Sequence, residues 1–269
     1  MCYDILIVGG GPAGLSAAIN GRVRGKTVLL LSSPMEDSPL WKAERVENYL
    51  GLPGVTGAEL LTAFRRHAEA SGAELRELRV LSAMPVGDRW YLSGEDQVFE
   101  GRALILAAGA VRGKPLPGEE RLLGRGVSYC ATCDGMLYRG RNVVVLGWTG
   151  SAEREADFLR GIGCAVRYYD RPQGVEILGE EAVTGVRVNG REEAVDAVFL
   201  LRPAVAPAAL LPGLAMENGS VTVDRQMATN LPGVFAAGDC TGAPYQVAKA
   251  VGEGLIAGQS AAKWADRQG

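Results

Sequence analysis

Short apolar runs alternate with glycine turns and helical patterns in the first third of the chain. Residues 3–8 (YDILIV) form an apolar run, 9–14 (GGGPAG) a turn, 15–24 a helical pattern of small residues, and 27–31 (TVLLL) a second apolar run. This order predicts a β-α-β unit, in which a crossover helix joins two parallel strands.

Further elements are predicted before the pattern breaks. Residues 57–71 fit an amphipathic helix, 90–92 and 97–99 fit short strands, and 103–108 (ALILAA) fit a buried strand. The next segment, 109–118, contains three glycines and two prolines, which interrupt regular structure. We place a domain boundary there.

The β-α-β pattern returns in the second half of the chain. An apolar strand at 142–146, a helix over about 151–161 and a strand at 165–169 repeat the first unit. Near the end, the apolar VFAAGDC of 234–240 precedes a helix over about 246–265. We expect this last segment to rejoin the first unit.

These units predict an α/β protein with two Rossmann-like, three-layer nucleotide-binding domains. The first domain is expected to be discontinuous, with residues 1–110 and 231–269, and residues 111–230 to form the central domain. The length of 269 residues and the 47% of apolar residues suffice for two such cores.

Charge and hydropathy restrict the partners. The 28 basic and 31 acidic residues give a net charge of -3, which lacks the broad basic surface that nucleic-acid binding normally needs. No stretch reaches the ~18 uninterrupted apolar residues of a membrane span. We therefore expect a cytoplasmic protein that binds neither nucleic acid nor membrane.

The turn after the first apolar run has the spacing G-x-G-x-x-G. It lies between a predicted strand and a predicted helix, where backbone N–H groups and the helix dipole can hold a pyrophosphate. A glycine turn without a ligand is the alternative. The ribose-binding acid expected about 20 residues later is missing, and Ser32 and Ser33 stand there with hydroxyls that can bind the nucleotide instead.

Two cysteines, Cys130 and Cys133, are separated by two residues at a predicted helix start. Such a pair can form a reducible disulfide, and the helix N-terminus favours a thiolate. A structural disulfide is the alternative; no further Cys or His pair completes a zinc site, so we expect no metal. Asp134 can shuttle a proton to a leaving thiolate or complement the helix dipole.

The remaining cysteines, Cys2, Cys164 and Cys240, have no partner at short spacing. Buried free cysteines are common, so we expect all three to be structural. The single histidine, His67, follows two arginines on a predicted helix and is expected on a solvated face.

Four segments carry a resemblance to a known family: 9–14 (GGGPAG), 46–51 (VENYLG), 126–135 (GVSYCATCDG) and 234–240 (VFAAGDC). The chain resembles, over nearly its whole length, the low-molecular-weight thioredoxin reductase family of flavoproteins. The resemblance implies FAD across the first domain and a homodimer. The FAD-binding residues we predict are Gly9, Gly11, Pro12, Ala13, Gly14, Ser32, Ser33, Asn48, Gly109, Gly238, Asp239, Gln246 and Val247.

The same resemblance assigns roles at the two cysteines. Cys133 is expected to face the flavin, Cys130 to attack the substrate disulfide, and Asp134 to donate the proton. Asn48 and Asp239 are expected near the flavin and its ribityl chain.

The second nucleotide unit departs from the family pattern. Where NADPH-using members have G-G-G-D-S-A, residues 147–152 are GWTGSA, and Trp148 and Thr149 occupy space that a pyrophosphate needs. The family's H-R-R is replaced by Asp-Arg-Pro at 170–172, and Asp170 repels a 2′-phosphate. This pattern argues against NADPH, although Asp170 suits an NAD ribose and leaves NADH open.

An intact cysteine motif and FAD loop with a degraded second site resemble the ferredoxin-dependent flavin thioredoxin reductases. That resemblance implies ferredoxin as electron donor and thioredoxin as substrate. Segment 112–141 holds six basic and three acidic residues, a charge that can attract acidic proteins. A reductase that uses NADH or NADPH, and a flavin-containing redox sensor without turnover, are the alternatives.

Overall fold

The structure is a computed structural model that describes residues 2–94, 97–109, 115–129, 131–148, 152–202 and 207–268, with the backbone alone at 132 and 133. The chain divides into two compact units, residues 1–111 with 204–269, and residues 112–203. Among the described helices, none is long and apolar enough to cross a membrane.

The elements follow one another in this order. The first unit begins with β1 (Cys2–Val8), α1 (Pro12–Val23), β2 (Val28–Ser32), α2 (Gly57–Ala70), β3 (Glu74–Glu77), β4 (Ser82–Val86), β5 (Arg89–Gly94) and β6 (Gln97–Leu106). The second unit contains α3 (Glu119–Leu122), β7 (Val127–Ser128), α4 (Ala131–Asp134), β8 (Asn142–Gly147), α5 (Ala152–Gly161), β9 (Ala165–Asp170), β10 (Glu176–Leu178), β11 (Gly185–Val188), β12 (Arg191–Ala194) and β13 (Ala197–Leu201). The first unit ends with α6 (Pro207–Leu210), β14 (Met216–Glu217), β15 (Ser220–Val221), β16 (Val234–Ala236) and α7 (Val247–Asp266).

In the first unit, the parallel strands lie in the order β3-β2-β1-β6, and β16 pairs in parallel with the end of β6. The antiparallel β5 and β4 continue the sheet from the beginning of β6. Side chains of β1 alternate between two cores. Ile5 and Ile7 pack with α1 and α7, and Leu6 and Val8 pack on the opposite face.

The second unit repeats this plan with the parallel order β7-β13-β8-β9. Val143 and Val145 of β8 pack with α5, whereas Val144 and Leu146 pack with residues of the antiparallel sheet β10-β11-β12. Each parallel sheet therefore has a buried core on both faces. The predicted class, α/β with two Rossmann-like three-layer units, is confirmed.

Two predictions of detail are wrong. The strands predicted at 97–99 and 103–108 are one strand, because Gly101 lets β6 pass β1 where a Cβ would lie 2.5 Å from Leu6 Cγ. The boundary predicted at 230–231 also differs, because Leu210 and Val221 are buried in the same cluster as Leu6. Residues 204–230 thus belong to the first unit.

Candidate functional site

The glycine loop follows β1 at the carboxyl ends of β1, β2, β6 and β16, an arrangement called here the first edge. Gly9 has a φ of +113°, and a Cβ there would lie 2.2 Å from the carbonyl oxygen of Ala107. A Cβ on Gly14 would lie 1.9 Å from the oxygen of Gly9. The fold itself therefore requires both glycines. A Cβ on Gly11, in contrast, would meet no described atom within 4 Å, so this position leaves space for a ligand.

Helix α1 begins at Pro12, beside that space. Gly11 is its N-cap, no side chain of the described residues caps it, and its first turn holds no acidic residue. The free N–H groups of Ala13 and Gly14 and the positive end of the helix dipole suit a pyrophosphate. The first edge therefore fits the FAD predicted from the sequence.

Other strand ends bring further predicted FAD residues to the first edge. A Cβ built on Gly10 would lie 2.8 Å from Ser32 Oγ, which places this hydroxyl beside the glycine loop. Ser33 follows it, and Gly109, with a φ of +72°, follows β6. The contacts of these residues with FAD stay predictions.

The predicted residues near the flavin lie in two other segments of the same unit. Asn48 Nδ2 donates a hydrogen bond of 2.7 Å to Gln246 Oε1, and Gln246 is the N-cap of α7, which begins at Val247. A Cβ on Gly238 would lie 2.8 Å from that of Ala13, so the turn that carries Asp239 packs against the start of α1.

Helices α1 and α7 approach each other closely. A Cβ on Gly254 would lie 2.2 Å from the carbonyl oxygen of Ala13, and one on Gly258 would lie 2.6 Å from that of Ala17. The paired positions advance together along both helices, so the helices run in the same direction. The N-termini of both helices therefore face the first edge.

Two charged residues of α7 that sequence reasoning missed hold the turn around Asp239. Lys249 Nζ donates to the oxygen of Gly238 at 2.7 Å and to Thr241 Oγ1 at 2.9 Å, and lies 3.1 Å from the Glu253 carboxylate. Glu253 accepts from the Gly238 N–H and the Thr241 hydroxyl at 2.8 Å each. Their spacing of four residues, after the GDC turn, is the signal that could have identified them.

The cysteine motif belongs to the second unit. Cys130 lies outside the described residues, and only the backbone of Cys133, within α4, is described. Asp134 Oδ2 accepts a hydrogen bond of 2.7 Å from Ser128 Oγ, which joins the strand before the motif to the end of α4. The roles assigned to Cys130, Cys133 and Asp134 stay predictions.

The second edge is formed by the residues that follow β8, β9 and β13, and among its described residues Trp148 and Arg202 contact each other. Trp148 follows β8, is half-buried and packs against the core of the unit. The backbone N–H of Trp148 donates to Leu201 O at 2.8 Å, and the Arg202 guanidinium lies 5.3 Å from the centre of the indole ring. Asp170 ends β9. Thr149 lies outside the described residues.

The three cysteines outside the motif differ in exposure. Cys164 is buried and its thiol donates to Tyr138 O at 3.2 Å. Burial raises the pKa of the Cys240 thiol to about 12. Cys2 is exposed because it is the first residue of β1, so the expectation that it is a buried structural cysteine is wrong. His67 is exposed, as predicted.

Comparison with known proteins adds to this geometry. The model of the pyridine nucleotide-disulphide oxidoreductase family matches residues 3–182 and 171–254. A thioredoxin reductase of Listeria innocua is 31% identical, over 98% of this chain and 94% of its own.

Two solved structures are similar over almost their whole length. A ferredoxin-flavin thioredoxin reductase from Clostridium acetobutylicum is 40% identical with a TM-score of 0.90, covering 100% of this chain and 99% of that chain. A thioredoxin reductase from Gloeobacter violaceus is 30% identical with a TM-score of 0.83, covering 99% and 95%. The glycine loop, the paired nucleotide folds and the family match lead to one conclusion: the chain belongs to the pyridine nucleotide-disulphide oxidoreductase family.

Proposed function

We propose that the chain is a flavin-dependent thioredoxin reductase that receives its electrons from ferredoxin. FAD is the cofactor and is held at the first edge. Electrons pass to the Cys130–Cys133 disulfide and then to thioredoxin. Similarity to thioredoxin reductases over almost the whole chain supports the substrate, and similarity to the Clostridium acetobutylicum enzyme supports the donor.

The packed side chain of Trp148 at the second edge is the observation that carries the choice of donor. A nicotinamide dinucleotide needs close backbone approach after the first strand of its fold, and Trp148 stands there, packed on the core. Asp170 adds negative charge at the end of β9, where a 2′-phosphate is normally bound. A protein donor needs no such pocket, because it docks on the surface.

The chemistry of the reductive half requires a balance of electrons. Bound FAD can accept electrons singly and deliver them as a pair. Two reduced ferredoxins each lose one electron, and with two protons this pair breaks the Cys130–Cys133 S–S bond and leaves two thiols.

The oxidative half is thiol exchange. The Cys130 thiolate attacks one sulfur of the thioredoxin disulfide and forms a mixed disulfide, while the other sulfur leaves and takes a proton from Asp134. The Cys133 thiol then loses its proton and attacks Cys130 Sγ, and the second thioredoxin sulfur leaves and gains a proton, which restores the enzyme disulfide and releases thioredoxin as a dithiol.

Apolar side chains beside the motif support a protein substrate. Met136 and Leu137, which follow the motif, are 57% and 72% exposed, and Phe158 of α5 is 38% exposed. Exposed apolar side chains that cluster near a reactive group are typical of docking surfaces.

Anaerobic stopped-flow reduction tests the donor. The holoenzyme is mixed with reduced ferredoxin, NADH or NADPH, and the flavin absorbance and the reduction of thioredoxin are followed. We expect rapid bleaching and turnover with ferredoxin alone. Rapid bleaching by NADH or NADPH would favour the pyridine-nucleotide alternative, and bleaching without thioredoxin turnover for every donor would favour a redox sensor.

Substitution of each cysteine tests the assigned roles. Cys130→Ser is expected to leave Cys133 as a thiolate with a charge-transfer band to the flavin. Cys133→Ser is expected to leave Cys130 able to trap thioredoxin as a mixed disulfide. Both variants should lose turnover; a charge-transfer band found only in Cys133→Ser would reverse the assignment. The homodimer and the cytoplasmic location implied by the family resemblance stay predictions.

A further inference from the structure

A buried carboxylate lies close to the second edge and takes no part in the proposed reaction. Glu119 of α3 is only 3% exposed. Its Oε1 and Oε2 accept hydrogen bonds of 2.8 and 2.9 Å from the two terminal nitrogens of Arg202. The Leu116 N–H donates to Oε2 at 2.7 Å, and the Tyr129 hydroxyl donates to Oε1 at 2.9 Å. The carboxylate is therefore fully satisfied by a bidentate ion pair and two further donors.

This cluster is attached to the central strands of the second sheet. Arg202 follows β13, and Trp148, which covers its guanidinium, follows the neighbouring β8. Tyr129 follows β7, which pairs with β13 through Ser128 and Phe199. Glu119 thus links the end of β7 to the ends of β13 and β8.

Tyr129 is also the residue immediately before Cys130. On the other side of the motif, Asp134 is bonded to Ser128 Oγ. Tyr129 and Asp134, which flank the cysteine motif, are therefore both hydrogen-bonded. Burial, and then the charge of Glu119, raise the pKa of the Tyr129 phenol, so its hydroxyl stays protonated and keeps donating.

A buried ion pair is by itself weak evidence for stability, because apolar residues of similar volume often replace such pairs without loss. Here, however, one of the hydrogen bonds to the Glu119 carboxylate comes from Tyr129, the neighbour of Cys130. We propose that Glu119 and Arg202 are positioning residues for the Cys130–Cys133 couple and act through the Tyr129 hydroxyl. The proposal rests on the proposed function in one respect, that these two cysteines form the redox couple.

The hydrogen bond from Tyr129 to Glu119 affects the equilibrium between the disulfide and the dithiol. Closing the disulfide joins the two sulfurs and removes two electrons and two protons, and a thiol-disulfide buffer supplies or accepts both. Restricting the backbone beside Cys130 raises the effective concentration of one thiol at the other and so favours closure. Loss of this hydrogen bond should favour the dithiol.

The test is a redox titration of the holoenzyme in dithiothreitol buffers, with the free thiols alkylated and counted by mass spectrometry. Tyr129→Phe removes one hydroxyl and keeps the ring, and should shift the equilibrium about threefold or more towards the dithiol. Glu119→Gln should shift it at least as far; a tenfold change corresponds to about 30 mV for this two-electron couple. The buffer reacts with the cysteines directly, so the result is independent of the electron donor.

The same unit offers a matched control. The Tyr169 hydroxyl donates to Glu193, which also pairs with Arg167, and these residues lie on β9 and β12, with β9 at the opposite side of the sheet from β7. Tyr169→Phe should change the equilibrium less than about twofold, since nothing in this triad adjoins the motif. Equal shifts in the two tyrosine variants, no shift in Tyr129→Phe, or a shift towards the disulfide would overturn the proposal. A wild-type enzyme without a reversible Cys130–Cys133 couple would overturn the proposed function as well.

Discussion

The first and second edges are built on the same β-α-β plan and differ in what occupies them. The first edge belongs to the unit that contains β1, α1 and β2, and the second to the unit that contains β8, α5 and β9. In both units, alternate side chains of the central strands pack into the cores on the two faces of the sheet. At the first edge, Gly11 leaves open space beside a helix N-terminus. At the second, the side chains of Trp148 and Arg202 contact each other in the corresponding region.

The difference shows that a nucleotide-binding fold does not by itself imply a nucleotide. The parallel sheets and their cores depend on apolar periodicity, and both units retain it. The capacity to bind depends on a few residues at the strand ends, which can change without loss of the core. At the second edge, Arg202 forms an ion pair with Glu119 of α3.

The largest expected effect is at Gly11. Gly11→Val should abolish FAD binding and yield colourless protein, because the new side chain enters the space for the pyrophosphate, whereas its Cβ would meet no described atom within 4 Å. The measurement is the flavin-to-protein absorbance ratio together with circular dichroism. Gly252→Ala, at another glycine with open space, should remain yellow. A folded Gly11→Val variant with stoichiometric FAD would remove the distinction between the two edges.

The next effect concerns the turn that carries Asp239. Lys249→Met removes a charge that donates to Gly238 and Thr241, and hydrogen bonds of this kind contribute about 1.5–3 kcal/mol. Half of this free energy corresponds to roughly 4- to 13-fold, so FAD should bind about 4-fold more weakly or worse. Lys263→Met, an exposed lysine of the same helix, is the control and should not change FAD affinity. Equal FAD affinities of Lys249→Met and Lys263→Met would show that the turn around Asp239 keeps its conformation without Lys249.

A smaller effect is expected when a carboxylate near the amino ends of the parallel strands is neutralised, at Asp4 in the first unit or Asp196 in the second. Burial raises the pKa of Asp4, but hydrogen bonds from the Thr27 N–H and hydroxyl and the charge of Arg102 outweigh it and hold the pKa below its usual value. Because the folded-state pKa is the lower one, the stabilisation is complete above the unfolded pKa of about 3.9. It is lost as the pH falls through the folded value.

Asp4→Asn should therefore lower the free energy of unfolding at pH 7 by about 1–2 kcal/mol, with the difference disappearing in acid. Urea unfolding between neutral and acidic pH measures it. In the second unit, Asp196 accepts from the Asn142 N–H at 3.0 Å and lies 3.4 Å from Arg141, with 38% of its side chain exposed. Asp196→Asn should cost less than about 1 kcal/mol. A loss for Asp4→Asn that does not depend on pH would contradict the role of its charge.

The smallest effect is expected where glycines are restored at the second edge. Replacing Trp148 and Thr149 by glycine removes the steric obstacle but leaves Asp170 and the Arg202 pair in place. Calorimetry should still show no saturable NADPH binding at millimolar ligand, a free energy weaker than about -4 kcal/mol, although NADH can gain. A micromolar dissociation constant for NADPH in the wild type would remove most of the case for ferredoxin.

Much of the fold could be predicted because it depends on local periodicity. The helices predicted at 57–71 and at about 246–265 agree with α2 and α7 within about one residue, and the strand predicted at 142–146 agrees with β8. Short elements such as β3 and β10 have too few residues for a period to show, and they escaped prediction.

The sequence by itself determined the repeated nucleotide fold, the glycine loop, the cysteine pair and the unusual Trp148, because each is a pattern of neighbouring residues. Tertiary structure alone decided that the carbonyl oxygen of Ala107 excludes a side chain at Gly9, whereas the space beside Gly11 stays open. It also decided that Glu119 meets Arg202, 83 positions away. Contacts of this kind depend on which strands pair and in what register, and no local pattern of residues encodes them.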